Sequence, residues 1–269
     1  MNPAASPAEL PERPELQATD GDATLCLNHA AVLARIAAAA RAAGRDPGTV
    51  RLLAVSKTFG ADRVLALAAC GQRAFGENYL QEAIPKMAAC CGPQGPGSPE
   101  RSAAALEWHF IGPIQSNKTR AIAEHFDWVH SVEREKVAHR LSQQRPDGLA
   151  PLQVCIQVDV SGEATKSGCE PHEAPALART IAGLPRLRLR GLMAIPAPTT
   201  DPRRQRAQFA RLRDVLEAVC AQGTPLDTLS MGMSDDLEAA IAEGATIVRV
   251  GTALFGARPG KSAGVSPLP

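Results

Sequence analysis

The sequence predicts a single (β/α)8 barrel, and three observations predict it. Between residues 25 and 250, eight short apolar runs alternate with segments of helical character. The runs lack clean polar/apolar alternation, as strands buried on both faces do. Eight such units in 269 residues fit a closed barrel better than an open doubly wound sheet. The open sheet is the alternative on pattern alone. No Gly-x-Gly-x-x-Gly follows the first strand, which weakens its dinucleotide-binding version.

The elements follow in order. Residues 1–22 are rich in Pro, Glu and Ala and are expected to be a flexible leader. Leu25–Arg45 reads as an extra N-terminal helix with Leu27, Val32, Leu33 and Ile36 near one face, stopped by Gly44. The strand–helix pairs are then 51–57 with 61–70, 74–78 with 80–89, and 108–111 with 117–125. Next come 128–132 with 133–144, 152–160 with 171–183, 189–195 with 202–222, and 228–231 with 235–242. Residues 246–250 supply the last strand. Residues 91–106, rich in Gly, Pro and Ser, read as a loop insertion. The barrel is expected to span 23–260, with 261–269 as a tail.

Composition excludes several classes of function. A formal charge of +1 gives no global field for nucleic acid or an acidic membrane surface. Aromatics at 3% argue against base-stacking platforms. No uninterrupted apolar run is seen with the ~20 residues a bilayer span needs, and the first residues have no apolar signal core. The expectation is a cytoplasmic protein without nucleic-acid or membrane partners. The seven cysteines show no Cys-x-x-Cys spacing. In a reducing compartment most are expected to be buried small hydrophobes. Only six of the 29 basic residues are lysines: Lys57, Lys86, Lys118, Lys136, Lys166 and Lys261.

Chemistry in such a barrel sits at the C-terminal ends of the strands. Lys57 ends the first strand, where a desolvated amine becomes nucleophilic toward an aldehyde; a lysine snorkelling out of a strand end is the plainer reading. The SMGMSDD segment (230–236) and VRVGTALFG (248–256) form small-residue turns after the last two strands. Turns of this kind bind phosphate, though many serve only to reverse the chain.

The motifs LLAVSKTFG, FGENYLQEA, WHFIGPIQSNK, VHSVER, VDVSGEATKSG, GLMAIP, LSMGMSDD and VRVGTALFG occur in this order. Together they resemble the pyridoxal phosphate homeostasis protein family, a single-domain relative of the alanine racemase barrel, over residues 27–257. The resemblance implies a fold-type III pyridoxal 5′-phosphate (PLP) barrel with Lys57 as the Schiff-base lysine. It implies phosphate contacts from Ser230, Ser234, Gly251 and Thr252, with Met231 also at the cofactor and Arg249 near the pyridine nitrogen. Asn78 and His109 are expected to border the cofactor, and no metal is implied.

The resulting expectation is a monomeric, non-catalytic PLP carrier acting in vitamin B6 homeostasis, with apo PLP-enzymes as possible recipients. An arginine at the ring nitrogen keeps its proton, leaving the pyridine a poor electron sink. The alternative is a PLP-dependent amino-acid racemase, which needs a second acid/base opposite Lys57. In alanine racemase a tyrosine of an additional C-terminal domain fills that role; the one tyrosine here is Tyr79. A Schiff-base aldolase without PLP is the third reading. Lys166, in the loop after the fifth strand, is the other lysine to examine.

Overall fold

The computed structural model describes residues 20–91, 105–161 and 167–256. The strands are β1 (Arg51–Val55), β2 (Ala74–Glu77), β3 (Glu107–Phe110), β4 (Trp128–Val132), β5 (Leu152–Gln157), β6 (Leu187–Met193), β7 (Thr228–Ser230) and β8 (Ile247–Val250). They form one closed parallel barrel in sequence order. Closure is made by β1 on β8, with Leu53 opposite Arg249 and Ala54 opposite Val250. The barrel fold expected from the sequence is therefore the observed one.

The helices are α1 (Asp20–Ala42), α2 (Ala61–Ala69), α3 (Leu80–Cys91), α4 (Thr119–His125), α5 (Glu135–Gln144), α6 (Ala174–Ala182), α7 (Pro202–Ala221), α8 (Leu237–Ala242) and α9 (Thr252–Phe255). Leu67, Met87, Leu141, Ile181, Phe209 and Ile241 bury their side chains in the apolar layer between helices and sheet. Each such side chain contributes about 1.5–3 kcal/mol of burial. A smaller cluster, including Leu53, Trp128, Cys155, Met193 and Ile247, is separate from that layer.

Helix α1 corrects two expectations. Its buried stripe is Leu25, His29, Val32, Ile36 and Ala40, whereas Leu27 is 71% and Leu33 43% exposed. The alanines around them give the apolar stripe little contrast, so periodicity alone misplaced it. Residues 21–42 are also long and apolar enough, by length and composition, to cross a membrane. A helix packed on a protein core can have the same length and composition. The contacts of α1 are with the barrel: Asn28 Nδ2 donates to the Leu254 carbonyl at 3.0 Å and Arg35 Nη2 to that of Ser234 at 3.1 Å.

The cysteine expectation is also revised. Exposed Cys26 of α1 and half-buried Cys70, capping α2, form a disulfide with Cα atoms 5.4 Å apart. Only Cys155 and Cys169 among the described free cysteines are fully buried. The bond sits uneasily with a reducing compartment.

The barrel interior contains two imidazoles, His109 and His130, 1% and 0% exposed. Burial lowers the pKa of both below the ordinary 6.5, His130 well below. Below pH 6.5 the unfolded chain therefore binds protons that the native chain refuses, and stability falls as pH falls. The melting temperature is expected to drop between about pH 7.5 and about pH 5.5, with a shallower slope in His130→Gln. Equal slopes for parent and variant in thermal melts would contradict this.

Candidate functional site at the barrel mouth

A cleft of about 210 Å³ opens over the C-terminal ends of the strands. Its walls come from both sides of the β1–β8 closure: Val55 and Lys57 on one, Arg249, Gly251 and Thr252 on the other. Asn78, Ile111, Ile195 and the turn Met233–Ser234–Asp235 complete it.

The turn carrying Lys57 is held from below and from the side. Lys86 Nζ, on α3, donates to the Ser56 carbonyl at 2.8 Å and to Glu77 Oε1 at 2.7 Å. Ser56 Oγ donates to the same oxygen at 2.6 Å. Burial raises the Glu77 pKa, with Lys86 opposing. Thr58 has φ of 70°, a left-handed conformation that costs a β-branched residue free energy. Its N–H is held by Glu82 Oε2 at 3.0 Å. Phe59 stacks on Phe255 with centroids 4.8 Å apart, tying this turn to the one after β8.

The opposite wall is formed by the β7–α8 and β8–α9 turns. Gly232 has φ of +94°, and an added Cβ would press on Ala240 at 2.6 Å, so the turn requires glycine. Arg35 of α1 reaches the Ser234 carbonyl at 3.1 Å and Glu238 at 2.8 Å, bracing the same turn. Met233 N–H donates to Asp236 Oδ1 at 2.6 Å.

Arg249 is 4% exposed and faces the cleft from its floor. Its Nη1 donates to the Ser230 carbonyl at 2.6 Å and to Ser230 Oγ at 2.9 Å, and its Nη2 to the Ala194 carbonyl at 3.0 Å. Burial lowers its pKa to about 10, partly offset by Asp236, so it remains charged at neutral pH. Asn78 Oδ1 is buried with no hydrogen-bond partner. An orphaned acceptor in a cleft wall marks a place for a ligand donor.

The residues singled out from the sequence divide into two groups. Lys57, Asn78, Ser234, Arg249, Gly251 and Thr252 line the cleft. Ser230, Met231 and His109 do not. Met231 is fully buried in the apolar layer outside the sheet, because successive strand side chains alternate faces. Ser230 lies beneath Arg249 as its acceptor. His109 shares the inward face of its strand with Ile111, and Ile111 reaches the cleft while His109 stays buried below it. Lys166 and residues 92–104 lie outside the described residues.

Sequence reasoning missed Ile195, Met233, Asp235 and His130. Ile195 and Met233 are 44% and 38% exposed apolar residues at the cleft, which only the folded rim reveals. His130 lies two residues after Trp128, whose side chain belongs to the inner cluster, and counting alternation forward from Trp128 would have found it.

The chain matches the family model "Alanine racemase, N-terminal domain" over residues 27–259. The pyridoxal phosphate homeostasis protein of Pseudomonas aeruginosa is 63% identical over 87% of this chain and 96% of its own length. PipY of Synechococcus elongatus PCC7942, solved with PLP bound, superimposes with a TM-score of 0.71 at 35% identity, covering 86% of this chain and all of PipY. Alanine racemase from Corynebacterium glutamicum shares the fold at 18% identity, with a TM-score of 0.62 over 91% of this chain and 64% of its own. With a barrel of this topology and relatives this similar along nearly their whole length, the chain belongs to the alanine racemase N-terminal-domain family and, within it, to the pyridoxal phosphate homeostasis proteins.

Proposed function

We propose that this chain is a PLP carrier that holds the cofactor on Lys57 and serves vitamin B6 homeostasis without catalytic turnover. One observation carries the reading: barrel closure sets an amine, Lys57, and a buried cation, Arg249, into one cleft with two tight turns. The PLP-bound PipY structure and the name of the Pseudomonas relative support it. When bound, PLP supplies an aldehyde that condenses reversibly with a primary amine.

The residues present fit that group. Lys57 Nζ supplies the amine, and the β1 strand end beneath it is fixed by Lys86 and Glu77. Ser234 and Thr252 bring hydroxyl donors to the turns, where a phosphate is held by hydrogen bonds stronger for its charge. Gly251 keeps the second turn low, since an added Cβ would approach the Val55 carbonyl at 3.2 Å. Asn78 Oδ1 is an acceptor in need of a donor. Arg249 donates hydrogen bonds and does not give up its proton at neutral pH, so it would orient a ring nitrogen without protonating it. Ser230, Met231 and His109 support the walls rather than touch the ligand. A monomer that passes PLP to apo-enzymes fits this arrangement, because release needs only another amine.

A second reading, amino-acid racemisation, is favoured by one feature: Tyr79, 49% exposed, adjoins the cleft residue Asn78. A two-base reaction would ask Tyr79 to exchange a proton on the face opposite Lys57. Incubation of the PLP-loaded protein with L-alanine is expected to leave its chirality unchanged. Sustained formation of D-alanine on chiral chromatography would favour the racemase.

Two further outcomes are expected. In an absorbance titration with PLP, the parent develops the band of a covalent lysine adduct and Lys57→Ala does not, while melting at the same temperature. An unaltered band in Lys57→Ala would refute the assignment. Arg249→Lys, which loses the planar fork of donors, is expected to release PLP about tenfold faster, the scale of one charged hydrogen bond. Equal release rates by stopped-flow would remove Arg249 from the site.

A further inference from the structure

Arg249 is the upper end of a file of buried polar side chains that runs down the barrel to its opposite mouth. Ser230 Oγ accepts from Arg249 Nη1 at 2.9 Å and lies 2.8 Å from His130 Nδ1. His130 Nε2 lies 2.8 Å from His109 Nδ1. His109 Nε2 lies 2.6 Å from Glu107 Oε1, which also accepts from Arg51 Nη2 at 2.7 Å. Ser230, His130 and His109 are each no more than 1% exposed. Glu107 and Arg51 line a separate pocket of about 430 Å³ at the strands' N-terminal ends.

The direction of every link follows from the two ends. Arg249 only donates, so Ser230 Oγ accepts from it and turns its own proton to His130 Nδ1. His130 then carries its proton on Nε2 and donates to His109 Nδ1. His109 carries its proton on Nε2 and donates to Glu107. A carboxylate is the right terminus. Burial disfavours its charge, but the hydrogen bonds from His109 and Arg51 and the Arg51 charge outweigh that and hold the Glu107 carboxyl below the ordinary carboxylate range. The reverse direction would need a protonated Glu107 and would aim two donors at Ser230. Both rings are neutral because burial lowers their pKa. The charged groups about the file are Arg51 and Glu107 with Asp127 at the lower end, and Arg249 with Asp236 at the upper.

We propose that Glu107, His109, His130 and Ser230 form a one-way hydrogen-bond relay that positions Arg249 against the cofactor cleft, anchored at the far end of the barrel by Glu107. The positioning role rests on the PLP reading above; the direction of the relay does not. A change at the lower pocket then alters cofactor retention without touching the cofactor. It acts by loosening the acceptor that fixes Arg249 Nη1.

The test uses the full chain labelled with 15N-histidine, with and without PLP. In the parent, long-range 1H–15N spectra are expected to show His109 and His130 neutral with the proton on Nε2. A proton on Nδ1 of either ring, or a doubly protonated ring at neutral pH, would overturn the relay. Glu107→Leu removes the terminal acceptor. It is expected to shift the His130 ring nitrogens, two links away, and to speed PLP release roughly 2- to 30-fold, the range for substitutions along a coupled network. Glu107→Gln keeps an acceptor oxygen and is expected to recover most of that loss. His130 signals and release rates equal to the parent's in a folded Glu107→Leu would overturn the proposal. If Glu107→Leu does not fold, the parent's ring tautomers and the release rate of Glu107→Gln decide it, a rate slower than the parent's contradicting the relay. A parent that takes up no PLP at all would defeat the proposed function instead, and the histidine spectra of the cofactor-free protein would still decide the relay.

Discussion

The pairing of β1 with β8 is the contact on which the rest of the molecule depends. Residues some 200 apart become neighbours when Leu53 sits opposite Arg249 and Ala54 opposite Val250. Without it Lys57, at the end of the first strand, and the Gly251–Thr252 turn, after the last, have no reason to meet. The closure is reinforced above the sheet by the stacking of Phe59 on Phe255. It is reinforced outside by α1, which bonds to α9 through Asn28 and to the β7–α8 turn through Arg35. The extra helix is thus a brace across the seam, and the Cys26–Cys70 bond fastens that brace to α2.

Closure also brings a cation into the interior, and burial makes an isolated charge costly. The molecule answers with acceptors: two carbonyls and a hydroxyl on Arg249, and a file of neutral imidazoles leading to the carboxylate of Glu107. A buried ion pair, Lys86 with Glu77, serves the strand end that carries Lys57. Each polar group has the same purpose on opposite sides of the seam. They hold the backbone of the cleft walls still while leaving the faces toward the cleft free to meet a ligand.

The barrel was legible because its signal is local and repeated: eight apolar runs, each followed by a helical stretch, point to the same architecture. The residues at the strand ends were legible for the same reason, since position in the unit implies position at the mouth. Depth was not. His109, Ser230 and Met231 stand in motifs that reach the rim, yet alternation and one further step down the strand place them in the interior or the outer layer. The buried stripe of α1 was hidden by its alanines, which make all faces look alike. The disulfide was invisible because Cys26 and Cys70 are 44 residues apart and only the packing of α1 on α2 brings them together. The tie between Glu107 and Arg249 crosses the whole barrel and has no footprint in sequence spacing.

The account turns on a single covalent attachment. Borohydride reduction of the PLP-loaded protein, followed by peptide mass mapping, tests it most directly. A phosphopyridoxyl group on the peptide containing Lys57, with the peptides of Lys86 and Lys166 unmodified, is the expected result. A label confined to any other lysine, or none at all, would contradict the assignment of the cleft at the β1–β8 seam as the cofactor site.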